Sequence, residues 1–370
     1  MTAPQRVLFL GHSYMFFNRL PDLVAELAAA AGVPLEVVSL THGGRTLLGH
    51  VRDDRSRRAL ADQGPWDAVV LVEQSLRPLR GRALFHMAAR TLHQAIRVQG
   101  ARTVFYGTWA RHWQPERQPE IDEAYCAIAA ELGAQVAPAG PAFQRAFTQR
   151  PDAPLFVPDG HHPAPAGSYL AALVLMATLT GASPLNLPVR VVQATNGGPA
   201  TAVALSDEDA SFLQEVAAWA LGDFRARPPA PPAEPPPEDI AAALLADSDL
   251  FAGATATEAG MFLAHAAPQV LPAGSELFVA GRADGTAVVV LDGEVALRGP
   301  DGGVRRASPR SVAQAGCFGV EALRGAPHAV TAVLDRESTV VPVRADALVA
   351  LEDRAPALVA KIRANVAAGR

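Results

Sequence analysis

Seven prolines fall within the sixteen residues RARPPAPPAEPPPEDI, Arg225–Ile240. Proline lacks a backbone N–H and holds φ at about −65°, so such a run joins neither a helix nor a central strand and favours an extended spacer. It divides the 370-residue chain into residues 1–222, a linker at 223–239 and residues 240–370. Each flanking part has the size of a single domain, whereas the whole is long for one hydrophobic core.

The first part alternates in type. Val7–Leu10 reads as a buried strand, and Leu20, Leu23, Val24 and Leu27 then recur at helical spacing until Gly32. Further strands are predicted at LEVVSL (35–40), AVVLVEQ (68–74), TVFYGTW (103–109) and AQVAPA (134–139), with helices around Ala83–Val98 and Ile121–Leu132. The apolar run from Ser168 is shorter than the ~20 residues of a membrane span and reads as a buried helix. Apolar strands alternating with amphipathic helices predict a parallel sheet covered on both faces. After Ile240 one or two helices lead into short β-rich runs punctuated by glycine, with a final helix from Ala345. That pattern predicts an antiparallel barrel or sandwich.

Bulk properties narrow the function. A hydrophobic content of 49% with 19% charged residues describes a soluble globular protein. The net charge of −5 gives no electrostatic reason to expect nucleic acid or a membrane surface as partner. Cys126 and Cys317 are too few and too far apart for a disulfide framework or a zinc site. No separate apolar segment with a cleavage site precedes the first strand, so a cytoplasmic location is expected.

In a doubly wound sheet, ligands bind outside the carboxyl ends of the strands. The residues there are Gly11-His12-Ser13, then THGGRT with Gly43 and Gly44, Glu73-Gln74-Ser75 and Thr108-Trp109, and late in the domain PDGHHPAPAGSY with Asp159, His161 and His162. A serine becomes a nucleophile only with a base to take its proton and a third group to orient that base. Asp159 and His162 supply both from one short loop. An oxyanion needs rigid donors, and the N–H groups of Ser13 and Gly44 and the side-chain amide of Gln74 qualify. Gly44 suits the role because it lets backbone approach substrate closely. Taken singly, each element has a plain reading: a serine after a strand is usually an N-cap, and Asp-Gly or paired glycines mark turns. Their shared position at one sheet edge weighs against the plain reading. His12, Trp109 and His161 are expected to line the substrate pocket, with Asn18, His42, Arg45, Arg77 and Arg111 at its border.

These residues carry a resemblance. Up to about residue 222 the chain resembles the SGNH (GDSL-like) hydrolases, whose four blocks carry a nucleophilic serine, a glycine, an asparagine and a late Asp-x-x-His. GHS at 11–13, the glycine of GRT at 44 and DGHH at 159–162 match. The resemblance implies a three-layer α/β/α flavodoxin-like fold, with Ser13 as nucleophile, His162 as general base, Asp159 as its orienting partner and Gly44 as an oxyanion donor. It implies neither a metal nor a cofactor. The sequence departs in two places. His12 stands where the family has Asp or Asn, and EQS stands where it has Gly-x-Asn-Asp, so that Gln74 replaces the third donor with a side chain one methylene longer.

From Ile240 the sequence resembles the cyclic-nucleotide-binding domain shared by the catabolite activator protein and regulatory kinase subunits. The matching stretches are LFAG (250–253), LPAGSELFVAG (271–281), VVVLDGEVAL (288–297) and GCFGVEALRGAPHAVTAV (316–333). This implies a jelly-roll β-barrel with flanking helices, and a phosphate-binding cassette with Gly319, Glu321, Arg324 and His328 as ligand contacts. Val320 follows Gly319 where the family has glutamate, and His328 stands where it has arginine. A neutral histidine lacks arginine's bidentate, permanent charge, so a barrel that has lost tight cyclic-nucleotide binding is expected. No helix-turn-helix pattern follows, which leaves a transcription-factor reading with little support.

The leading expectation is a cytoplasmic serine esterase or acyl hydrolase, acting on a small-molecule ester through an acyl-enzyme on Ser13, with an appended regulatory-type barrel. The alternative is a sensor of a cyclic nucleotide or other anion in which the hydrolase fold is an output or relic; a third is a scaffold. The intact Ser13–Asp159–His162 set favours the first. Barrels of this type often dimerise through a flanking helix, so a homo-oligomer belongs among the expected partners.

Overall fold

The computed structural model describes residues 4–195, 198–225, 230–237, 239–299, 301–307 and 316–369; positions 226–229 and 238 of the proline-rich linker lie outside them. The chain divides into two compact units, Met1–Pro235 and Pro236–Arg370.

The first unit is built on five parallel strands, β1 (Gln5–Gly11), β2 (Leu35–Thr41), β3 (Ala68–Leu71), β4 (Arg102–Gly107) and β5 (Gln135–Pro138), in the order β2-β1-β3-β4-β5. The side-chain period of two divides their apolar residues between two faces. Val7, Phe9, Val70, Val104 and Tyr106 join one core cluster with α2 (Leu20–Ala30), α9 (Pro165–Thr180) and α10 (Asp207–Arg225). On the other face Phe105 meets Phe85 of α6 (Arg82–Val98), which in turn packs edge-on against Tyr125 of α7 (Gln118–Leu132). The run from Ser168 lies in α9, whose residues Ala166–Ala177 are all buried. No helix among the described residues is long and apolar enough to cross a membrane. The hairpin of β6 (Arg190–Thr195) and β7 (Gly198–Ala204) has no counterpart in the sequence reading.

The order 2-1-3-4-5 places the topological switch beside β1, because the crossovers from the adjacent strands β1 and β3 run to opposite edges of the sheet. Gly11 ends that strand under tight constraint. A Cβ there meets the side chains of Val72 and Met15, while its carbonyl accepts from His50 Nε2 at 3.1 Å and from His42 N–H at 3.2 Å.

The linker is not all free tether. Glu234 donates its N–H to His86 Nδ1 at 2.8 Å, and its carbonyl accepts from Arg90 at 2.9 Å, so this stretch is tied down on α6.

The second unit holds two four-stranded sheets, one comprising β8 (Gln269–Leu271), β10 (Thr286–Asp292), β13 (Cys317–Phe318) and β15 (Ser338–Arg344), the other β9 (Glu276–Phe278), β11 (Val295–Arg298), β12 (Val304–Ala307) and β14 (Thr331–Leu334). All their pairings are antiparallel. Alternation again sorts the residues. Ala287, Val289 and Leu291 of β10 pack with the helices, including α11 (Ile240–Ala246), α12 (Ala256–Leu263), α13 (Ala345–Leu351) and α14 (Pro356–Ala367), whereas Val288 and Val290 face the other sheet's Phe278, Val295 and Leu334. The result is the expected jelly-roll barrel with flanking helices.

Gly11→Ala is expected to lower the stability of the first unit by about 1–3 kcal/mol, because the stiff Val72 cannot move aside. Urea unfolding of the variant beside the native chain measures this.

Candidate active site

Three side chains from two distant segments converge at the carboxyl end of β1. Ser13 opens the four-residue helix α1 (Ser13–Phe16) and is 9% exposed. Its Oγ lies 2.8 Å from His162 Nε2, and His162 Nδ1 lies 2.6 Å from Asp159 Oδ2. The loop that carries the pair holds its own shape. Asp159 Oδ1 accepts the N–H groups of His161 and His162 at 3.0 and 2.9 Å, and Gly160 at φ +66° turns the chain between them. Burial alone raises the Asp159 carboxyl, but those two N–H donors and the His162 ring outweigh it and hold its pKa down to about 2. An ionised Asp159 fixes a proton on His162 Nδ1 and leaves Nε2 with the lone pair a base requires.

The His162 ring is also held sterically. Phe17 stacks on it at 4.3 Å and 7°, and Tyr14 meets it edge-on at 5.6 Å. Asn18, at φ +51°, ties the serine segment to the histidine loop by donating to Pro163 O at 3.1 Å and Ser168 Oγ at 2.8 Å. Asparagine is one of the few non-glycine residues that enter the left-handed region readily.

The N–H groups of Ser13 and Gly44 have no hydrogen-bond acceptor among the described residues, and Gly44 sits at φ +65° in the half-buried turn after β2. Gln74 turns its Oε1 back onto Leu76 N–H at 2.9 Å.

In the barrel, Gly319 at φ +75° packs so closely under the His328 ring that a Cβ there meets it. His328 is 2% exposed, stacks on Phe278 at 4.1 Å and 15°, and points Nε2 at Asp284 Oδ1, 3.0 Å away. Its Nδ1 faces Glu321 Oε1 at 3.6 Å. Glu321 also accepts the N–H of Ala329 at 3.4 Å. Arg324 is exposed and lines a groove with Leu348, Val349, Arg363 and Val366 of the flanking helices. Two carboxylates therefore flank His328, and Arg324 lies with the helices rather than beside it.

Neither a family model nor a curated protein matches the chain. Solved structures do. A candidate SGNH hydrolase from Slackia heliotrinireducens is 31% identical over 48% of this chain and 100% of its own, with a TM-score of 0.43. The first unit of the chain has the SGNH hydrolase fold. A DUF4886 family protein from Bacteroides uniformis is 20% identical over 61% of this chain and 98% of its own, at a TM-score of 0.47. The catabolite activator protein of Thermus thermophilus is 25% identical over 33% of this chain and 58% of its own, at 0.28.

Several residues of this SGNH unit stand elsewhere than expected. His12 is 2% exposed, with Nε2 3.0 Å from Glu73 O and Nδ1 facing Tyr14 N–H at 3.5 Å. Burial first, and then the neighbouring His162 and His50, push its pKa down to about 3 against the pull of the Glu73 carbonyl, so it is a neutral strut. Trp109 is 1% exposed, sandwiched between Tyr14 and Phe143, and donates Nε1–H to His161 O at 2.9 Å. Both side chains are buried. His161 is half-buried beside the triad, its ring 4.1 Å from that of His162.

Sequence reasoning missed Glu73 as more than a neighbour of Gln74. Its carboxylate is buried, and Oε1 accepts Leu47 N–H at 3.1 Å and Gln74 N–H at 2.7 Å. Its carbonyl is the one paired with His12. One residue thus links the loops that carry Ser13, Gly44 and Gln74. A glutamate among apolar strand residues was the only available signal.

Glu73→Ala strands two loop N–H groups and is expected to cost about 2–4 kcal/mol, while Glu73→Gln, which keeps an acceptor oxygen, recovers most of it; chemical denaturation compares the two. Acid acts through the histidines. Burial is the first cause lowering His12 to about 3 and His50 and His86 to about 4, from an ordinary 6.5. An unfolded chain binds protons that the folded one refuses, so stability is lost as pH falls from about 6.5 toward 4. The thermal midpoint at pH 5 is expected to lie below that at pH 7.5, with Asp159 still ionised throughout.

Proposed function

We propose that this chain is a serine esterase or acyl hydrolase that works through an acyl-enzyme on Ser13, joined to a regulatory-type barrel, with domain limits at 1–222 and 240–370. The observation that carries the reading is the unbroken relay from Ser13 Oγ to His162 Nε2 at 2.8 Å and from Nδ1 to Asp159 at 2.6 Å. His162 takes the serine proton as Oγ attacks the ester carbonyl. The same proton then leaves with the alcohol, and water repeats the sequence to release the acid. The N–H groups of Ser13 and Gly44 and the amide of Gln74 face the developing oxyanion, where a single donor is worth about 10²–10³ in rate. In the barrel, the pair of carboxylates around His328 opposes a cyclic phosphate, which supports a hydrolase over a nucleotide sensor.

Hydrolysis of p-nitrophenyl acetate and labelling of Ser13 by a fluorophosphonate test the proposal. Ser13→Ala is expected to abolish labelling and to lower turnover about 10³-fold or more. Added cyclic AMP is expected to change neither rate nor melting temperature. Well-folded protein that neither labels nor turns over overturns this reading in favour of the sensor, and a higher melting temperature with cyclic AMP overturns the loss of nucleotide binding in the barrel.

A further inference from the structure

Asp159 sits between two adjacent histidines, only one of which the triad uses. His162 Nδ1 lies 2.6 Å and His161 Nε2 3.8 Å from the same oxygen, Asp159 Oδ2. The separation to His161 is too long for a hydrogen bond. One ligand atom from each of the three residues lies within 4.8 Å of the others. Oxygen and nitrogen ligands at about 2.0–2.2 Å from a tetrahedral zinc stand about 3.3–3.5 Å apart. Meeting that spacing means widening the His162 contact, closing the His161 contact and bringing the two imidazole nitrogens, which lie within 4.8 Å of each other, to about the same separation. The three side chains retain 40%, 23% and 19% exposure, so a solvated cation reaches them.

Their chemistry suits a borderline-soft cation better than calcium or magnesium, because two of the three ligands are imidazoles. With the His161 proton on Nδ1, 3.5 Å from the Tyr14 oxygen, Nε2 offers its lone pair toward Asp159.

We propose that Asp159, His161 and His162 form a Zn²⁺ site, with the fourth position open to water, and that zinc bound there switches the serine off. Zinc on His162 Nδ1 moves that ring's single proton to Nε2. Nε2–H then donates to Ser13 Oγ across the same 2.8 Å and has no lone pair left for the serine proton. No covalent bond to substrate is involved, and removing the metal returns the proton to Nδ1. The switch rests on the hydrolase reading; the metal site does not.

Full-length chain free of any histidine tag is titrated with Co²⁺ by visible absorption and with Zn²⁺ by calorimetry. One metal per chain with tetrahedral cobalt bands is expected, and His161→Gln and Asp159→Asn each weaken binding about tenfold or more, with their folding checked by melting. Fluorophosphonate labelling of Ser13 is expected to stop with zinc and return with EDTA, while His161→Gln needs about tenfold more zinc for the same effect. Absent binding, or binding that His161→Gln leaves undiminished, overturns the site. Unaltered labelling of zinc-loaded protein overturns the switch. If metal-free protein does not label at all, the hydrolase reading falls, and the cobalt titration still decides the metal site.

Discussion

The end of β1 is where the architecture of the first unit leaves backbone uncovered. The crossovers from the adjacent strands β1 and β3 run to opposite edges of the sheet, and a crevice opens between their carboxyl ends. Gly11 ends the strand because Val72 and Met15 fill the space a side chain needs, and Ser13 follows at once. Everything chemical in the unit is arranged around that point. The Asp159 loop arrives from 146 positions later in the chain and is held by backbone N–H donors, a stacked Phe17 and the amide of Asn18.

The polar groups beneath this crevice form a support that burial keeps neutral or fully bonded. His50 spans the Gly11 carbonyl and Ser56 Oγ at 3.1 and 2.8 Å, and His12 reaches the Glu73 carbonyl. An imidazole whose two nitrogens meet a carbonyl and an N–H or hydroxyl is well satisfied in one tautomer, and a desolvated ring resists the charged form. The family's usual Asp or Asn after the glycine, and its Gly-x-Asn-Asp, are both replaced here, by His12 and by Glu73-Gln74. His12 reaches the backbone carbonyl of Glu73, which joins the serine loop to the loop after β3.

In the barrel, His328 is part of the interior packing. Phe278 stacks on His328 and Asp284 takes its Nε2, so a side chain standing where the family has an arginine is folded into the unit's own interior. The cassette turn itself is retained, through Gly319 and Gly325 in left-handed conformations at either end of its short helix.

Local pattern was enough for the element types and the parallel and antiparallel classes, because periodicity, glycine and proline act within a few residues. The order 2-1-3-4-5, the β6–β7 hairpin and the inward turn of His12 and Trp109 were beyond it, since each depends on partners far along the chain. Arg324 is a case of the same kind: composition offered a cation near the cassette, and only packing turned it toward the flanking helices. The sequence by itself determined which polar residues follow which strands. Tertiary structure alone decided which of them meet, because a 2.8 Å contact between residues 13 and 162 and the burial of Glu73 are set by the closing of the whole sheet and its helices.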